Sequence, residues 1–313
     1  MKEEIKVSVC CLAYNHELYI RDCLEGFVKQ KTNFKYEVLI HDDASTDKTV
    51  DIIREYEAKY PDIIKPIYQS ENRYSQGISI DEKYIFPKAK GKYYAYCEGD
   101  DHWCNENKLQ KQVDFMDAHP EYSACVHNSF RLNCTSGEKT LISKAETDCD
   151  LSVEDMILRF SEYFQTSSVF YRKEYALLPD GFKSKSFGDY QKAIYLALCG
   201  KVRYMNDIMS VYRFLSNGSW SQKQSETDVK INHNNEVINL MYRLDEYTEQ
   251  EYHEVIEKKI LSKEVEILSL EKEYSAILKN AAYRKEYIRT CGLKGWLFLC
   301  KKTMTAEKNE QDT

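Results

Sequence analysis

The chain has 313 residues, and its 42% apolar content is enough for a sizeable hydrophobic core. Its 44 basic and 51 acidic residues give a net charge of −7, which argues against a nucleic-acid partner because such partners require a basic face. No apolar run approaches the roughly 20 residues of a membrane-spanning helix. Eleven cysteines occur without a C-x-x-C pair or a signal peptide ahead of them, a pattern that predicts reduced thiols in the cytoplasm.

The first half of the chain alternates predicted strands and helices. Residues 5–12 form a nearly continuous apolar run, which is typical of a parallel strand buried on both faces. Apolar side chains then recur with helical spacing between residues 20 and 28. Because crossovers of this length join parallel strands, the order predicts a parallel sheet covered by helices on both sides. Further strands are predicted at 36–40, 63–68 and 93–97, and further helices at 48–59 and 107–119.

The pattern becomes mixed after residue 120, and from residue 221 the chain is charged with apolar residues at helical spacing. These patterns predict an α/β domain over residues 1–220, a helical region over 221–304 and a disordered tail over 305–313. The elements predicted between residues 120 and 220 are strands at 125–132, 167–171, 202–204 and 208–213 and a helix at 189–198.

Polar side chains follow three of the predicted strands at the points where the strands end. Residues 14–15 follow the first strand, residues 42–43 follow the second, and residues 98–101 follow the fourth. Parallel α/β sheets bind ligands at the carboxyl ends of their strands. The three polar segments therefore predict a binding site at one edge of the sheet.

The segment Glu98-Gly99-Asp100-Asp101 places three carboxylates within four residues at the end of a buried strand. Mutual repulsion raises the pKa of at least one of these carboxyl groups, and a bound divalent cation is the usual compensation. From the residues alone a second interpretation stays open. In it the segment is a polar turn whose aspartate caps the helix at 107–119.

Taken together, the segments at 7–17, 42–47 and 98–101 resemble the three signatures of the family 2 glycosyltransferases. The resemblance extends to 188–190 and 211–213, so it covers roughly residues 5 to 220. Members of this family are inverting enzymes that use nucleotide sugars. The resemblance implies an α/β GT-A fold, with a Rossmann-like and mostly parallel sheet flanked by helices, followed here by a C-terminal helical extension.

Several residues depart from the family pattern. Leu12 and Ala13 stand where Pro-Thr is common, Ala44 replaces a glycine, and Glu98 replaces the first aspartate of the metal motif. Leu215 stands near the position of a histidine in many relatives, a position associated with a third protein metal ligand. The Q-x-x-R-W signature of processive synthases is absent, which favours transfer of a single sugar.

The resemblance implies that Asp100 binds Mg²⁺ or Mn²⁺, because the diphosphate leaving group needs a hard cation to stabilise its charge. Glu98 would contact the ribose or a metal-bound water. Asp101 either contacts the substrate or braces the loop and the following helix. Arg73 is a candidate diphosphate contact, since guanidinium pairs well with phosphate oxygens, or else a solvated loop arginine.

The nucleotide pocket implied by the resemblance lies around Asp43. With Asp42 nearby, its carboxylate would accept a hydrogen bond from the base, as in relatives that use uridine nucleotides. The alternative is that the segment 42–47 only caps the next helix. Tyr14 would stack on the base, or would pack in the core. The predicted nucleotide-sugar-binding residues are Ala13, Tyr14, Asn15, Glu17, Asp42, Asp43, Arg73, Glu98, Gly99 and Asp101.

Asp189, in Gly188-Asp189-Tyr190, is the candidate catalytic base. An inverting transfer needs one carboxylate to take the proton from the acceptor hydroxyl as its oxygen attacks the anomeric carbon. The alternative is an acidic residue at a helix N-terminus that only complements the helix dipole.

The C-terminal segment 292–302 is apolar, contains a tryptophan and is flanked by lysines. This composition suits an interfacial anchor on an anionic membrane surface, and it equally suits a helix that docks on its own domain. A peripheral contact with the inner face of the cell membrane is therefore one expectation.

The leading interpretation is a cytoplasmic, metal-dependent glycosyltransferase. It would move one sugar, from a UDP-sugar, to a glycan or lipid-linked acceptor in surface polysaccharide synthesis. A sugar nucleotidyltransferase should carry a Gly-rich basic loop after the first strand. Residues 14–17, which follow that strand, do not form such a loop. A catalytically degenerate binding or assembly subunit is the non-enzymatic alternative. The substitutions at Ala44, Glu98 and Leu215 favour it, and the intact Asp100 and Asp189 argue against it.

Overall fold

The computed structural model describes residues 4–184, 188–217, 219–223 and 226–311. The Cα positions divide the chain into two compact units, Met1–Ser219 and Trp220–Thr313. The division falls one residue from the boundary at 220/221 that the sequence predicts for the α/β domain.

The first unit contains one mixed sheet, in which ten strands lie within the described ranges. Its strands are β1 (Ile5–Ala13), β2 (Lys35–Asp42), β3 (Ile64–Tyr68), β4 (Tyr93–Tyr96), β5 (His102–Trp103), β6 (Tyr122–Asn133), β7 (Lys139–Leu141), β8 (Cys149–Leu151), β9 (Phe170–Arg172) and β10 (Lys201–Phe214). Their order is β3-β2-β1-β4-β9-β6-β10-β5, with β7 beside β6 and β8 beside β10.

The parallel half of the sheet is the part that the sequence predicts. β3, β2, β1 and β4 run parallel to one another, and β6 runs parallel to β10. β9 is antiparallel to both of its neighbours, β4 and β6. In register, Ala13 lies beside Asp42 and Cys10 beside Tyr96, so the carboxyl ends of β1, β2 and β4 meet at one edge of the sheet.

Helices pack against the sheet through apolar faces. On the first helix, Ile20, Cys23, Leu24 and Phe27 are all 0% exposed, as their helical spacing predicts. Strands followed by helices in this way confirm the predicted α/β class. The helices of the first unit are α1 (Ile20–Val28), α2 (Thr49–Lys59), α3 (Lys108–Ala118), α4 (Val153–Tyr163) and α5 (Asp189–Cys199).

Two predicted elements are wrong in detail. The strand predicted at 167–171 is a 3₁₀ turn, Thr166–Ser168, followed by the short β9. The Ser168 hydroxyl donates to the Gln165 carbonyl at 2.8 Å, and such local side-chain bonds compete with strand pairing. The two strands predicted at 202–204 and 208–213 are one strand, β10, whose register against β6 shifts between Met205 and Ile208.

The second unit is helical, and it has its own small core of Val265, Ile277, Tyr287 and Leu299. None of the helices in the described ranges is long and apolar enough to cross a membrane. The last helix continues through residues 305–311, where the sequence predicts a disordered tail, and residues 312–313 lie outside the described ranges. The helices are α6 (Trp220–Lys223), α7 (Thr227–Tyr247), α8 (His253–Leu270), α9 (Tyr274–Lys279) and α10 (Ala281–Gln311).

The apolar segment at 292–302 presents two different surfaces. Leu299 is 0% exposed in the core of the second unit, and Trp296 packs against that core. Leu297 and Phe298 are instead 62% and 48% exposed. The segment thus combines docking on its own unit with an exposed apolar pair.

Candidate active site

The loops that follow β1 and β2 are hydrogen-bonded to each other. The Asn15 amide donates to Ser45 Oγ at 2.9 Å, and Asn15 Oδ1 accepts from the Thr46 amide at 2.8 Å. Glu17 Oε2 accepts from the Lys48 amide at 3.0 Å. Asn15 and Glu17, predicted to line the nucleotide pocket, therefore use these side-chain oxygens to join the two loops.

The aspartate pair at the end of β2 supports two different loops. Both oxygens of Asp42 accept from Ser45, one from its amide at 3.1 Å and one from its hydroxyl at 2.5 Å. The Asp43 carboxylate accepts from the amides of Arg73 and Tyr74 at 2.8 and 3.0 Å. Asp42 therefore closes its own turn, whereas Asp43 holds the loop that follows β3.

Ala44 stands in this turn with a φ of 61°, a left-handed conformation that disfavours any residue with a Cβ. This geometry is the physical reason why a glycine suits the position, and the turn keeps it through the hydrogen bonds that Asp42 makes to Ser45. Ala44 thus adopts the left-handed conformation that suits the glycine of the family pattern.

Tyr14 is 44% exposed, so it does not pack in the core, which was the alternative to base stacking. The Asp43 amide donates to the Ala13 carbonyl at 3.0 Å, which brings residues 13 and 14 next to Asp43 at the sheet edge. Tyr74, from the loop that Asp43 holds, is 73% exposed. The exposed ring of Tyr14 and the nearly buried carboxylate of Asp43 thus lie at the position predicted for the nucleotide base.

The Arg73 guanidinium lies along its own loop. Its Nη1 is 3.2 Å from Glu71 Oε2 and 3.3 Å from Gln76 Oε1, and its side chain is 28% exposed. The buried Nε atom has no hydrogen-bond partner among the described residues. A diphosphate contact by Arg73 therefore stays a prediction, and it requires the side chain to leave Glu71.

Glu98 and Asp100 lie in the segment that follows β4. Desolvation of Glu98, together with the charges of Asp100, Asp189 and Asp81, raises the pKa of Glu98 to about 8. Ser216 Oγ donates to Asp100 Oδ2 at 2.8 Å. Repulsion between carboxylates, which the sequence predicts for this segment, is thus present. It also involves Asp81 and Asp189, which lie outside residues 98–101.

Asp101 is only 2% exposed and accepts from the Arg213 amide at 2.8 Å. This hydrogen bond gives Asp101 a bracing role, which is one of the two roles that the sequence predicts for it. The other predicted role is a contact with the substrate. Burial and the charge of Asp100 raise the pKa of Asp101 well above its usual range.

Arg213 and Ser216 are contributors to this site that sequence reasoning missed. Arg213 Nη1 donates to the Asp100 carbonyl at 2.7 Å, and Nη2 donates to the Asp22 carboxylate. The bond to Asp100, together with that of the Ser216 hydroxyl, attaches the end of β10 to the acidic segment, and the bond to Asp22 attaches it to α1. The Tyr212-Arg213 motif was the available signal, but no local pattern indicates its partners, which lie more than 100 residues away.

Gly99 lies where two segments approach each other closely. A Cβ built on it would lie 2.7 Å from His16 Nδ1 and 3.0 Å from Ile20 Cδ1. The Gly99 amide also donates to the Leu12 carbonyl at 2.8 Å, which keeps the acidic segment against β1. The glycine therefore serves packing between the acidic segment and the loop after β1.

Asp189 is the first residue of α5, and residues 185–187 before it lie outside the described ranges. Its Oδ1 accepts from the Tyr190 amide at 2.7 Å, and its Oδ2 is 3.5 Å from the Thr166 hydroxyl. The side chain is exposed, and desolvation of its carboxyl group raises its pKa. Its charge contributes to the raised pKa of Glu98, so the two carboxylates lie near each other.

The acidic segment fits a divalent cation in part. The pKa of Glu98 is raised first by desolvation and then by the neighbouring carboxylates, and a bound cation would offset both effects. Across the described residues, however, no three His, Cys, Asp or Glu side chains converge on one point as metal ligands. Leu215, at the position associated with a third ligand, has a φ of 60°. Asp100 and Glu98 would therefore hold Mn²⁺ or Mg²⁺ together with the diphosphate oxygens of a donor.

The family model for glycosyl transferase family 2 matches residues 8–172, more than half of the chain. The chain belongs to this family. An uncharacterized protein of Mycobacterium tuberculosis is 36% identical over 216 residues, which cover 68% of this chain and 60% of that protein. The chain thus spans about 60% of the length of such relatives. The putative teichuronic acid biosynthesis glycosyltransferase TuaG of Bacillus subtilis is 36% identical over 110 residues, covering 35% of this chain and 41% of TuaG.

Solved structures show the same fold. Residues 1–349 of S. aureus TarS, in complex with UDP-GlcNAc, align with a TM-score of 0.56 over 96% of this chain and 92% of that one, at 16% identity. The mannosyltransferase PcManGT of Pyrobaculum calidifontis, in complex with GDP-Man and Mn²⁺, gives a TM-score of 0.55 over 97% and 88%, also at 16% identity. These similarities confirm the predicted GT-A fold.

Proposed function

We propose that the protein is an inverting glycosyltransferase that moves one sugar from a nucleotide diphosphate sugar to a hydroxyl of its acceptor. The observation that carries the proposal is that Glu98 and Asp100 follow the carboxyl end of β4 and that Asp189 is near enough for its charge to raise the pKa of Glu98. Incubation with a panel of nucleotide sugars, with and without a chelator, tests it through the release of nucleoside diphosphate. Absence of hydrolysis and of transfer with every donor would favour the assembly-subunit alternative.

Asp189 would supply the base for the reaction. Its carboxylate accepts the proton of the acceptor hydroxyl while that oxygen attacks the anomeric carbon, and the bond from that carbon to the diphosphate oxygen breaks. A bound Mn²⁺ or Mg²⁺ would supply Lewis-acid stabilisation of the diphosphate. Arg213 and Ser216 would keep Asp100 in place by the hydrogen bonds that they make to its carbonyl and carboxylate.

The donor base is proposed to be uracil, bound between Tyr14 and the Asp43 carboxylate. Asp43 accepts two backbone amides, and a carboxylate with about four lone pairs retains capacity for a ring N–H. The aligned TarS structure contains UDP-GlcNAc and the aligned PcManGT structure contains GDP-Man, so the fold accommodates either base.

Asp43→Ala is expected to raise the donor KM and to reduce discrimination between UDP and GDP, because it removes the acceptor at the base edge. Asp42→Ala is the matched control, since its carboxylate bonds only to Ser45 among the contacts described. This control should lower the melting temperature without changing the ratio of UDP to GDP affinity. Calorimetric titration of both nucleotides into both variants measures the effect. An unchanged ratio in Asp43→Ala would restrict Asp43 to supporting the loop at Arg73 and Tyr74.

The acceptor is proposed to be a glycan or lipid-linked saccharide of the cell surface. Support comes from TuaG, whose name assigns it to teichuronic acid biosynthesis. We further propose a cytoplasmic location with peripheral contact at the inner membrane face. The exposed Leu297 and Phe298 lie between Lys294 and Lys301, the arrangement that suits an anionic lipid surface.

The double substitution Leu297→Asp with Phe298→Asp is expected to reduce co-sedimentation with phosphatidylglycerol vesicles, because it replaces the exposed apolar pair by charges that the surface repels. Leu177→Asp is the control, since Leu177 is 59% exposed but belongs to the first unit. Equal sedimentation of both variants and the parent protein would remove the membrane proposal. Point substitutions are preferred to truncation, which would remove Leu299 from the core.

A further inference from the structure

The 3₁₀ turn Thr166–Ser168 contacts the proposed base at one end and the buried core at the other. Thr166 is half-buried, and its hydroxyl lies 3.5 Å from Asp189 Oδ2. Ser167 and Ser168 are both 0% exposed. A change in the position of the buried end of this turn would therefore move the hydroxyl that faces the base.

The carbonyl groups at the buried end of the turn accept hydrogen bonds from two other elements. Trp103 Nε1, on β5, donates to the Ser167 carbonyl at 2.9 Å. Gln112 Nε2, on α3, donates to the Ser168 carbonyl at 3.0 Å. Trp103 and Gln112 are 3% and 0% exposed. Because Trp103 follows Asp101 by two residues, the chain that carries the acidic segment also holds the turn beside the base.

Lys108 fastens both of these donors. Its ammonium group donates to Gln112 Oε1 at 2.7 Å and lies 4.1 Å from the centroid of the Trp103 ring. An ammonium group only donates, so this bond fixes the Gln112 amide with its NH₂ group toward Ser168.

The charge of Lys108 is held at a cost, since the side chain is 0% exposed and burial lowers its pKa to about 7. An apolar side chain of similar volume would fill the space without burying a charge. A polar network in the interior does what apolar packing does not, because its directional bonds rigidify the segments that they join. The segments joined by Lys108, Trp103 and Gln112 are β5, α3 and the turn at Thr166–Ser168.

A general base acts only when its oxygen is within hydrogen-bond reach of the proton that it removes. An exposed carboxylate such as that of Asp189 takes its orientation from hydrogen bonds rather than from close packing. The Tyr190 amide binds Oδ1 from within α5, and the Thr166 hydroxyl approaches Oδ2 from outside it. The position of Thr166 therefore bears on the direction in which the carboxylate points.

We propose that Trp103 and Gln112 are positioning residues, which fix the turn so that the Thr166 hydroxyl orients the Asp189 carboxylate for proton removal. This inference rests on the proposed glycosyltransferase function and deepens it. Both residues are buried, so they act through Thr166 and not by touching the substrate.

The test is the hydrolysis of UDP-glucose and UDP-GlcNAc in Mn²⁺, because a water molecule that attacks the donor must lose a proton to the same base. Thr166→Val removes the hydroxyl and keeps the shape of the side chain. Trp103→Phe removes the N–H and keeps an aromatic ring beside Lys108, and Gln112→Met removes the other donor. Each variant should lower kcat for UDP release by roughly 10–100-fold, the range for a displaced catalytic group. The affinity for UDP in Mn²⁺, measured by calorimetric titration, should stay within about twofold.

Tyr36→Phe is the matched control for the buried substitutions. It removes a 2.8 Å hydrogen bond to the Phe27 carbonyl within the core cluster that also contains Trp103. It should lower the melting temperature without changing kcat. Thr166→Ser keeps the hydroxyl and should retain most of the rate. Trp103→Phe combined with Thr166→Val should lose little more than Thr166→Val alone, because both act on the same contact.

Near-parental hydrolysis by Thr166→Val would overturn the inference, and this half-buried substitution decides the matter even if a core variant fails to fold. The inference also fails if Trp103→Phe behaves like Tyr36→Phe, if the affinity for UDP falls in parallel with kcat, or if the losses in the double variant simply multiply. Failure of the parent protein to release nucleoside diphosphate from any nucleotide sugar would instead contradict the proposed function, and the inference with it.

Discussion

Asp189→Asn is expected to lower sugar transfer by roughly 10²–10⁴-fold, the range for loss of general base catalysis. Asparagine keeps the size of the side chain and can still accept from the Tyr190 amide, but it cannot take the proton of the acceptor hydroxyl. Donor and metal binding should change little, because the base acts on the acceptor side of the sugar. Calorimetric donor binding beside a transfer assay measures both quantities on the same preparation.

Asp155→Asn is the control for the alternative that Asp189 only stabilises the N-terminus of its helix. Asp155 lies in the first turn of α4 and forms a capping box with Ser152, so its loss should lower stability without changing transfer. If Asp189→Asn behaves like this control, with near-normal transfer, the base lies elsewhere. If Asp189 is the base, its ionised form is the active one, and desolvation raises its pKa. Transfer should therefore increase as the pH rises through that raised pKa.

Asp100→Asn is expected to damage donor binding and transfer together. If the cation is held by Asp100, Glu98 and the diphosphate, loss of one anionic ligand removes much of the stabilisation of the leaving group, worth several kcal/mol. Turnover should then fall by at least about 10²-fold, and Mn²⁺ should no longer strengthen the binding of UDP. Titration of UDP with and without Mn²⁺, beside the transfer assay, separates this outcome from that of Asp189→Asn.

Ser216→Ala is the matched variant for Asp100, because it removes the 2.8 Å hydrogen bond to Oδ2 but keeps the carboxylate. A smaller loss than that of Asp100→Asn is expected, with the Mn²⁺ effect on UDP binding retained. Full activity in excess chelator, or an Asp100→Asn protein with normal turnover, would contradict the metal role. The leaving-group charge would then have to be stabilised by cationic side chains such as Arg73.

The sequence by itself determined the parallel strands, the first helices and the family. A strand buried on both faces must be apolar along its whole length, as residues 5–12 are, and a helix on a sheet must bury every third or fourth residue, as α1 does. These signals are local, so they can be read without the fold. The order of the polar strand ends adds the resemblance to glycosyltransferase family 2, which the family match confirms.

The partners of the site residues were decided only by the tertiary structure. The Asp43 carboxylate meets the amides of residues 73 and 74, the Asp101 carboxylate meets the Arg213 amide, and Asp100 meets Ser216. These pairs are 30 to 116 residues apart in the sequence. They form because the strand order brings the ends of β1, β2, β4 and β10 to one edge, and no local sequence pattern encodes that order.

The same long-range geometry divided residues of similar chemistry between different roles. Asn15 and Glu17 join two loops, Asp42 closes a turn, and Asp101 is buried against β10. A carboxylate looks the same in the sequence whether it braces a loop or faces a ligand. The difference lies in which donors surround it, and only the folded chain places those donors.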